Sequence, residues 1–482
     1  MRPRQLLGLC LAALAAFYLI ELLYHGVLSA VYPYDLNYGE GYILNDALRL
    51  VRGEPIWTDI TQFPMVRSAY PPLYLLITGL SSWPSPSFLG PRLVSLVAAL
   101  AVGAMLVWHA RRATYGWMPA IAAGGLWVGS TFVYQWAPLA RVDMLGLALS
   151  LAALLLVERG DLPRDSVVRP TVASLTIAAL LCSLALLTKQ TFLAAPLAIT
   201  ISLALRRDYR ALWFAAAVAV IVGGVTFALN AATAGQYAQH VIFGNAANPY
   251  RLDRTVEMTA LFLRINPIAT FAAVWAIVLY LSSMRPSLVG VYVPLALATL
   301  LTAGNVSSDV NYFLEPTVAL ALAVPIVWRA ASGSHPTLVY GLAAVQLALL
   351  IHLPNGLMTQ YPPGPAKGST AVEEDVRIGE RVEAIVRSGG QNALVELAGF
   401  AVLTGAPVWI QPVDLLAEQR RGRWTPDLLT ASIAEHRWSV VVLSHKFLPP
   451  ESLATLEREY QQTDGLSSPN GFSYFVYRPR VR

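Results

Sequence analysis

Apolar stretches of about 20 residues recur along the chain to about residue 354, broken by short polar segments in which arginine is frequent. About 20 apolar residues in a helix match the roughly 30 Å hydrocarbon core of a bilayer. The pattern predicts eleven membrane spans, near 6–31, 91–110, 117–136, 142–158, 171–188, 191–205, 211–230, 267–284, 288–303, 313–330 and 337–354. Between the first two spans, residues 70–83 (YPPLYLLITGLSSW) are apolar but too short to cross, so they predict a helix lying in the interface, opened by Pro71 and Pro72. Residues 42–52 (YILNDALRLVR) have apolar positions at helical spacing and predict a second surface helix. Both belong to a first outer loop, 32–90.

Past residue 354 charge returns and the pattern changes. A Pro/Gly-rich linker, YPPGPAKGS at 361–369 within 355–370, leads to a segment, 371–482, in which helix-like and strand-like runs alternate. EEDVRIGERVEAIVRSG is an amphipathic helix, PVWIQP and SVVVLS read as short buried strands, and GFSYFVYRP as a last alternating strand. The fold class expected is an all-α polytopic membrane domain over 1–354 followed by a small α/β soluble domain.

Charge sets the orientation. Only 13% of residues are charged and 56% are hydrophobic, with a mean hydropathy of +0.53. With the N-terminus inside, eleven spans put Arg111–Arg112, the stretch 158–169, Arg206–Arg210, Arg285 and Arg329 on the cytoplasmic side, as positive-inside asymmetry requires. The C-terminal domain then lies outside the cell membrane. The first apolar run, behind Arg2 and Arg4, is too long for a signal core and lacks a clear cleavage site, so it is expected to remain as a helix. The net charge of +5 is explained by these loops, and no basic-aromatic platform points to nucleic acid. Cys10 and Cys182 lie in apolar runs and form no disulfide or zinc framework. With no retention signal at the end of the chain, a bacterial plasma membrane is the expected location.

This orientation gathers the polar residues with chemical potential on the outer side. Asp35 and Glu40 follow the first span, with glycines flanking Glu40; they read as a general base or metal ligands, or as ordinary loop acids. Arg141 and Asp143 form an Arg-x-Asp pair at a span end, where Asp143 also suits a helix N-cap. Lys189 and Gln190 sit in a tight apolar turn, one of only three lysines in the chain; a lysine there fits an anionic ligand, or snorkels. The 240–254 loop offers Asn245, Asn248, Tyr250, Arg251 and Arg254, and the 305–316 loop offers Asp309, Asn311, Tyr312 and Glu315, sets that suit sugar and phosphate or plain loop polarity. The seven histidines form no metal cluster, and no glycine-rich phosphate motif is present.

In their order, NYGEGYILNDALRLVRGEP, YPPLYLLITGL, PRLVSLVAAL, LARVDML, TKQT and NYFLEP resemble the polytopic GT-C glycosyltransferases, in the branch of protein O-mannosyltransferases and lipid A aminoarabinose transferases, over about residues 1–354. The resemblance implies a GT-C-like fold, a polyprenyl-phosphate-linked sugar donor, a glycan, lipid or protein acceptor, and inversion at the anomeric carbon. The family's loop motif is Asp-Glu; the matching pair here is Gly39-Glu40. It implies Glu40, or Asp35 upstream, as the base that deprotonates the acceptor. Lys189, with Arg251 or Arg254, would stabilise the departing lipid phosphate; Asp143 would orient the acceptor or, with Glu40, hold a divalent cation (Mg or Mn); Arg141 would pair with a carboxylate or phosphate. A transporter or lipid flippase and a non-catalytic envelope scaffold are the rival classes. No repeated halves or mid-membrane helix breaks favour the transporter. The C-terminal domain carries no catalytic constellation and is expected to bind acceptor or cover the site.

Overall fold

A computed structural model describes residues 3–158, 170–246, 249–283, 287–305, 308–331, 333–358 and 371–480. Each of the eleven expected spans coincides with an apolar helix, from Pro3–Val31 to Pro336–Met358. Among the described residues four helices, Pro3–Val31, Leu89–Thr114, Arg210–Ala232 and the Val310–Ala331 segment, are long and apolar enough to cross a membrane by themselves. Most of the remainder are shorter, and several are broken. The third expected span divides into Trp117–Val128 and Thr131–Trp136, and the ninth passes from α-helix to a 3-10 turn at Thr299. The loops at 159–169 and 284–286, Asn248 and the linker 359–370 lie outside the described residues.

The helices differ in how much protein surrounds them. Of the most apolar window of Val310–Ala331, 72% is buried, against 11% for Arg210–Ala232. The first is a central helix packed on all sides. The second presents Leu212, Val220 and Phe227 outward, which lipid rather than water would solvate.

One helix pair departs from the expected plan. Residues 252–265, left as loop and unassigned chain by the apolar pattern, form the amphipathic helix Leu252–Ile265, which meets Pro267–Ser283 at 99°. Pro267 cannot continue a helix hydrogen-bond ladder, and the break frees backbone groups in an apolar setting. Buried Gln346 satisfies three of them: its carbonyl accepts from Ile268 N and Ala269 N, and its amide donates to Ile265 O at 3.1 Å.

The two loop helices form at the expected positions, Glu40–Val51 and Pro72–Ser81, packed against each other, but the first is not a surface helix: it is buried from Glu40 to Leu48, packed also against the C-terminal segment. The C-terminal segment folds as a four-stranded sheet, β1 (Ala393–Val395), β2 (Val440–Leu443), β3 (Tyr460–Ser467) and β4 (Ser473–Pro479), in the order β1-β2-β4-β3. β1 and β2 are parallel; β2 pairs antiparallel with β4, and β4 with β3. The all-aliphatic β2 is buried on both faces because helices cover it, as Ile378, Val382 and Val386 of the helix Glu373–Gly389 show at i, i+4 and i+8.

PVWIQP is not a strand of this sheet. It makes a single bridge, Met65 to Ile410, with the first loop: Met65 N donates to Trp409 O and Gln411 N to Met65 O. This pairing belongs to a broad contact between the C-terminal segment and the loop. Tyr42 donates to Glu396 O at 2.6 Å, and Tyr34 stacks on Phe400 at 5.0 Å. Arg67 donates to Asp414 at 3.1 Å.

Candidate active site

A polar cavity of about 310 Å³ lies where the first loop, the Lys189 turn and the 305–312 loop converge beneath the C-terminal segment. Of the expected residues it brings together Arg141, Lys189, Gln190, Asn245, Asp309, Asn311 and Tyr312. It adds several that the sequence did not single out: Asp46 and Arg67 of the loop, and Gln411, Val413 and Asp414 of the C-terminal segment.

Asp143 is the anchor behind one wall. It opens the helix Asp143–Val157, and its carboxylate accepts from Lys189 Nζ at 2.6 Å, Asn311 Nδ2 at 2.9 Å and Trp136 Nε1 at 2.8 Å. No side-chain cap accompanies this helix start, so the N-cap explanation does not hold. The carboxylate holds an ammonium, an amide and an indole in fixed positions. Lys189 therefore keeps its charge in a buried site and also lies over the Tyr312 ring.

Arg141 stands differently. It donates to Tyr70 Oη at 3.1 Å and packs over the rings of Tyr70 and Trp136. Among the described residues no carboxylate lies within ion-pair distance of it, and Nε is buried without a partner. Its guanidinium lies against the backbone at Gly39, where an added Cβ would stand 1.6 Å from Nη1. Only glycine admits that approach. At the position where the resembled family has the aspartate of its Asp-Glu pair, this chain has an arginine side chain resting on bare backbone.

Glu40 lies elsewhere than expected. It is fully buried outside the cavity, and its two oxygens accept five N–H bonds, from Leu36 N, Asn37 N, Ala140 N and Arg92 Nε and Nη2. Arg92 also donates to the carbonyls of Ser29, Tyr32 and Tyr34. Every lone pair that a base would use is engaged, so the expectation of Glu40 as base is corrected: the pair ties the end of the first helix to the Leu89–Thr114 helix. Arg92 lay inside a quoted motif, but nothing local marked it as the partner of a residue 52 positions away.

Asp35 is likewise outside the cavity. Oδ1 accepts from Gly41 N at 2.8 Å, and Oδ2 is buried without a partner against Gly399 of the C-terminal segment. Burial, reinforced by Glu40, pushes its carboxyl up to about 7. A Cβ on Gly399 would sit 2.0 Å from Oδ2 and 2.8 Å from the Phe88 ring. Gly399→Ala is therefore expected to loosen this contact by about 1–3 kcal/mol, as overpacking does, read as faster proteolytic release of the C-terminal segment. Release at the wild-type rate would show that Asp35 and Gly399 do not hold the two parts together.

The remaining expected residues do not reach the cavity. Glu315 is buried in its helix, where its carboxylate accepts from Tyr292. Tyr250 is exposed and accepts from Thr255 at 2.8 Å, Arg251 pairs with Asp253 at the surface, and Arg254 donates to Ser308 O. These groups fasten the 249–254 loop to its neighbours, and none of them lines the cavity. Asn248 lies outside the described residues.

A divalent cation does not fit this set of donors. Among the described residues no three His, Cys, Asp or Glu side chains converge at ligand spacing. Glu40 and Asp143, the two expected ligands, spend their oxygens on N–H donors.

The chain thus has a mostly helical fold of many apolar helices with a small C-terminal sheet and a loop-built polar cavity. Solved structures make the likeness specific. Over 96% of this chain and 97% of the other, it is similar to ArnT from Cupriavidus metallidurans bound to undecaprenyl phosphate, with TM-score 0.61 and 14% identity. The apo state of the same protein matches with TM-score 0.62 and 12% identity, at the same coverage. No family model matches the sequence, and no curated protein does either.

Proposed function

We propose that this protein is a membrane glycosyltransferase that moves a sugar from a polyprenyl-phosphate donor to a hydroxyl acceptor, a glycan, lipid or protein, with inversion. The observation that carries the reading is Arg141, a cavity cation without a carboxylate partner beside the Lys189–Asp143 pair, in a fold shared with a structure that holds undecaprenyl phosphate.

The chemistry asked of the site is stabilisation of a phosphate as it gains charge. Arg141 offers a planar fork suited to phosphate oxygens, already flanked by Tyr70 and Trp136 and needing no carboxylate to be displaced. Lys189 adds a second charge, held in place by Asp143. The amides of Gln190, Asn245 and Asn311 and the rings of Tyr38, Tyr70 and Tyr312 line a space suited to sugar hydroxyls and a pyranose face. The prenyl chain stays in lipid while the head group enters. The arginine clusters of the loops support a cavity and C-terminal domain on the extracytoplasmic side of a bacterial plasma membrane.

Binding tests the reading. Purified protein in lipid nanodiscs is expected to retain undecaprenyl phosphate against a large excess of phosphatidylglycerol. Free exchange between the two lipids would show that the cavity does not recognise a prenyl phosphate.

A further inference from the structure

The reaction needs a group to take the acceptor's proton, and the two carboxylates the family resemblance nominated do not reach the cavity. The carboxylates around it can be taken in turn. Asp143 is committed to Lys189, Asn311 and Trp136, and Asp414 to Arg67. Asp309 accepts from Val310 N and has further partners.

Asp46 differs from all of these. It lies on the cavity wall one turn along the helix Glu40–Val51 from Tyr42, which also lines the cavity. It is 5% exposed, and no cation of the described residues is within ion-pair distance; Arg49, three residues on, pairs with Glu54 instead. Its hydrogen bond from a described side chain comes from the Asn45 amide, at 3.1 Å to Oδ1. The Ser68 hydroxyl is a second polar neighbour of the Asp46 carboxyl and also lies 2.9 Å from Ile56 O. Keeping a carboxylate charged in this setting costs free energy, because no ion pair offsets its desolvation.

Its neighbourhood separates it from the phosphate-binding cations. The charges that bear most on Asp46 are Arg49 and Asp414. Asp414, with Arg67 and Gln411, forms the wall that the C-terminal segment closes; Arg67 N donates to Gln411 Oε1 at 3.0 Å. The cavity lining therefore carries Asp46 as well as the cations Arg141, Lys189 and Arg67, the last of them paired with Asp414.

We propose that Asp46 is the general base of this site, taking the proton of an acceptor hydroxyl held at the end of the cavity that the C-terminal segment closes. The proposal rests on the transferase reading. The acceptor oxygen bonds to the anomeric carbon as that carbon's bond to the phosphate oxygen breaks. The electron pair leaves with the prenyl phosphate, and the proton passes to an Asp46 oxygen and then to water. Burial, the largest influence, and nearby Asp414 push the Asp46 carboxyl up to about 7 against the opposing pull of Ser68, Arg49 and Asn45. A base of that strength is well matched to neutral pH.

The test uses the full chain in nanodiscs, with a prenyl-phosphate sugar that the wild type turns over. Asp46→Asn is expected to lower turnover by about 10²–10⁴-fold, the usual worth of a general base, while affinity for undecaprenyl phosphate changes less than about twofold. Wild-type kcat/KM should rise with pH through about 7 as Asp46 ionises, and the variant should lose that limb. Where Asp46→Asn does not fold, Asp46→Glu carries the test: a displaced base moves the limb, whereas a structural carboxylate leaves it in place. Turnover near the wild-type rate with the limb intact overturns the assignment and leaves the transferase reading standing. A wild type that turns over no donor and binds no undecaprenyl phosphate overturns both.

Discussion

Arg92→Ala is expected to lower the stability of the folded protein by about 3–5 kcal/mol, the cost of leaving one member of a buried ion pair without its partner. Glu40 would keep three backbone N–H bonds but lose both charged ones, inside a region with no exposure to water. Three carbonyls, of Ser29, Tyr32 and Tyr34, would lose their donor in the same step. Glu40→Gln should fall in the same range, since it leaves the guanidinium uncompensated and turns an amide N–H₂ toward N–H donors. The apparent thermal midpoint in detergent checks both. Arg92→Met combined with Glu40→Gln should recover part of the loss, because removing both charges together spares the unpaired one. A Glu40→Gln variant with an unchanged midpoint and lost turnover would instead return Glu40 to the role of base.

Arg141→Ala is expected to reduce turnover by about 10²–10³-fold, the range for removing one preorganised group that stabilises developing charge. The fold should survive, because Arg141 gives up one hydrogen bond to Tyr70 and no ion pair of the described residues. Affinity for undecaprenyl phosphate should fall as well. Arg141→Lys should recover only part of the activity, since an ammonium cannot offer two parallel N–H bonds to a phosphate. Initial rates at varied donor concentration check the variant. Wild-type rates with Arg141→Ala would move the phosphate to Lys189 or Arg67.

The membrane helices were legible because a span needs little beyond length and apolarity, both local properties. Even the two short helices of the first loop could be placed along the chain, one by its shortness and its prolines, the other by its period, though not the burial of the second. Leu252–Ile265 escaped because its polar face, with Asp253, Arg254 and Glu257, resembles loop polarity when a bilayer core is the template. β3 escaped because YQQTDGLS is an edge strand with mostly exposed positions, lacking the alternation that marks a half-buried one. PVWIQP has the composition of a buried strand, but its one bridge partner, Met65, is remote in sequence.

The site was legible as a set of residue types and less so as roles. Lys189 stood out as a lysine in an arginine-rich chain, and Asp143 and Asn311 came with it. Glu40 and Asp46 are both acids on one short helix, and no local feature tells which meets a cation. Arg92, from another helix, settles that by neutralising Glu40. Only the fold shows that the helix carrying Asp46 is buried from Glu40 to Leu48, so that its aspartate is not on a solvated face. The wall made by Gln411 and Asp414 had no local signal, since it depends on how the C-terminal segment docks.

The most direct measurement is sugar transfer by the purified wild-type protein in lipid from a panel of polyprenyl-phosphate sugars, with the anomeric configuration of the product read by NMR. The expected result is turnover of at least one donor, with the configuration inverted. A panel with no turnover, from protein that also fails to retain undecaprenyl phosphate, would contradict the assignment of this cavity to sugar transfer.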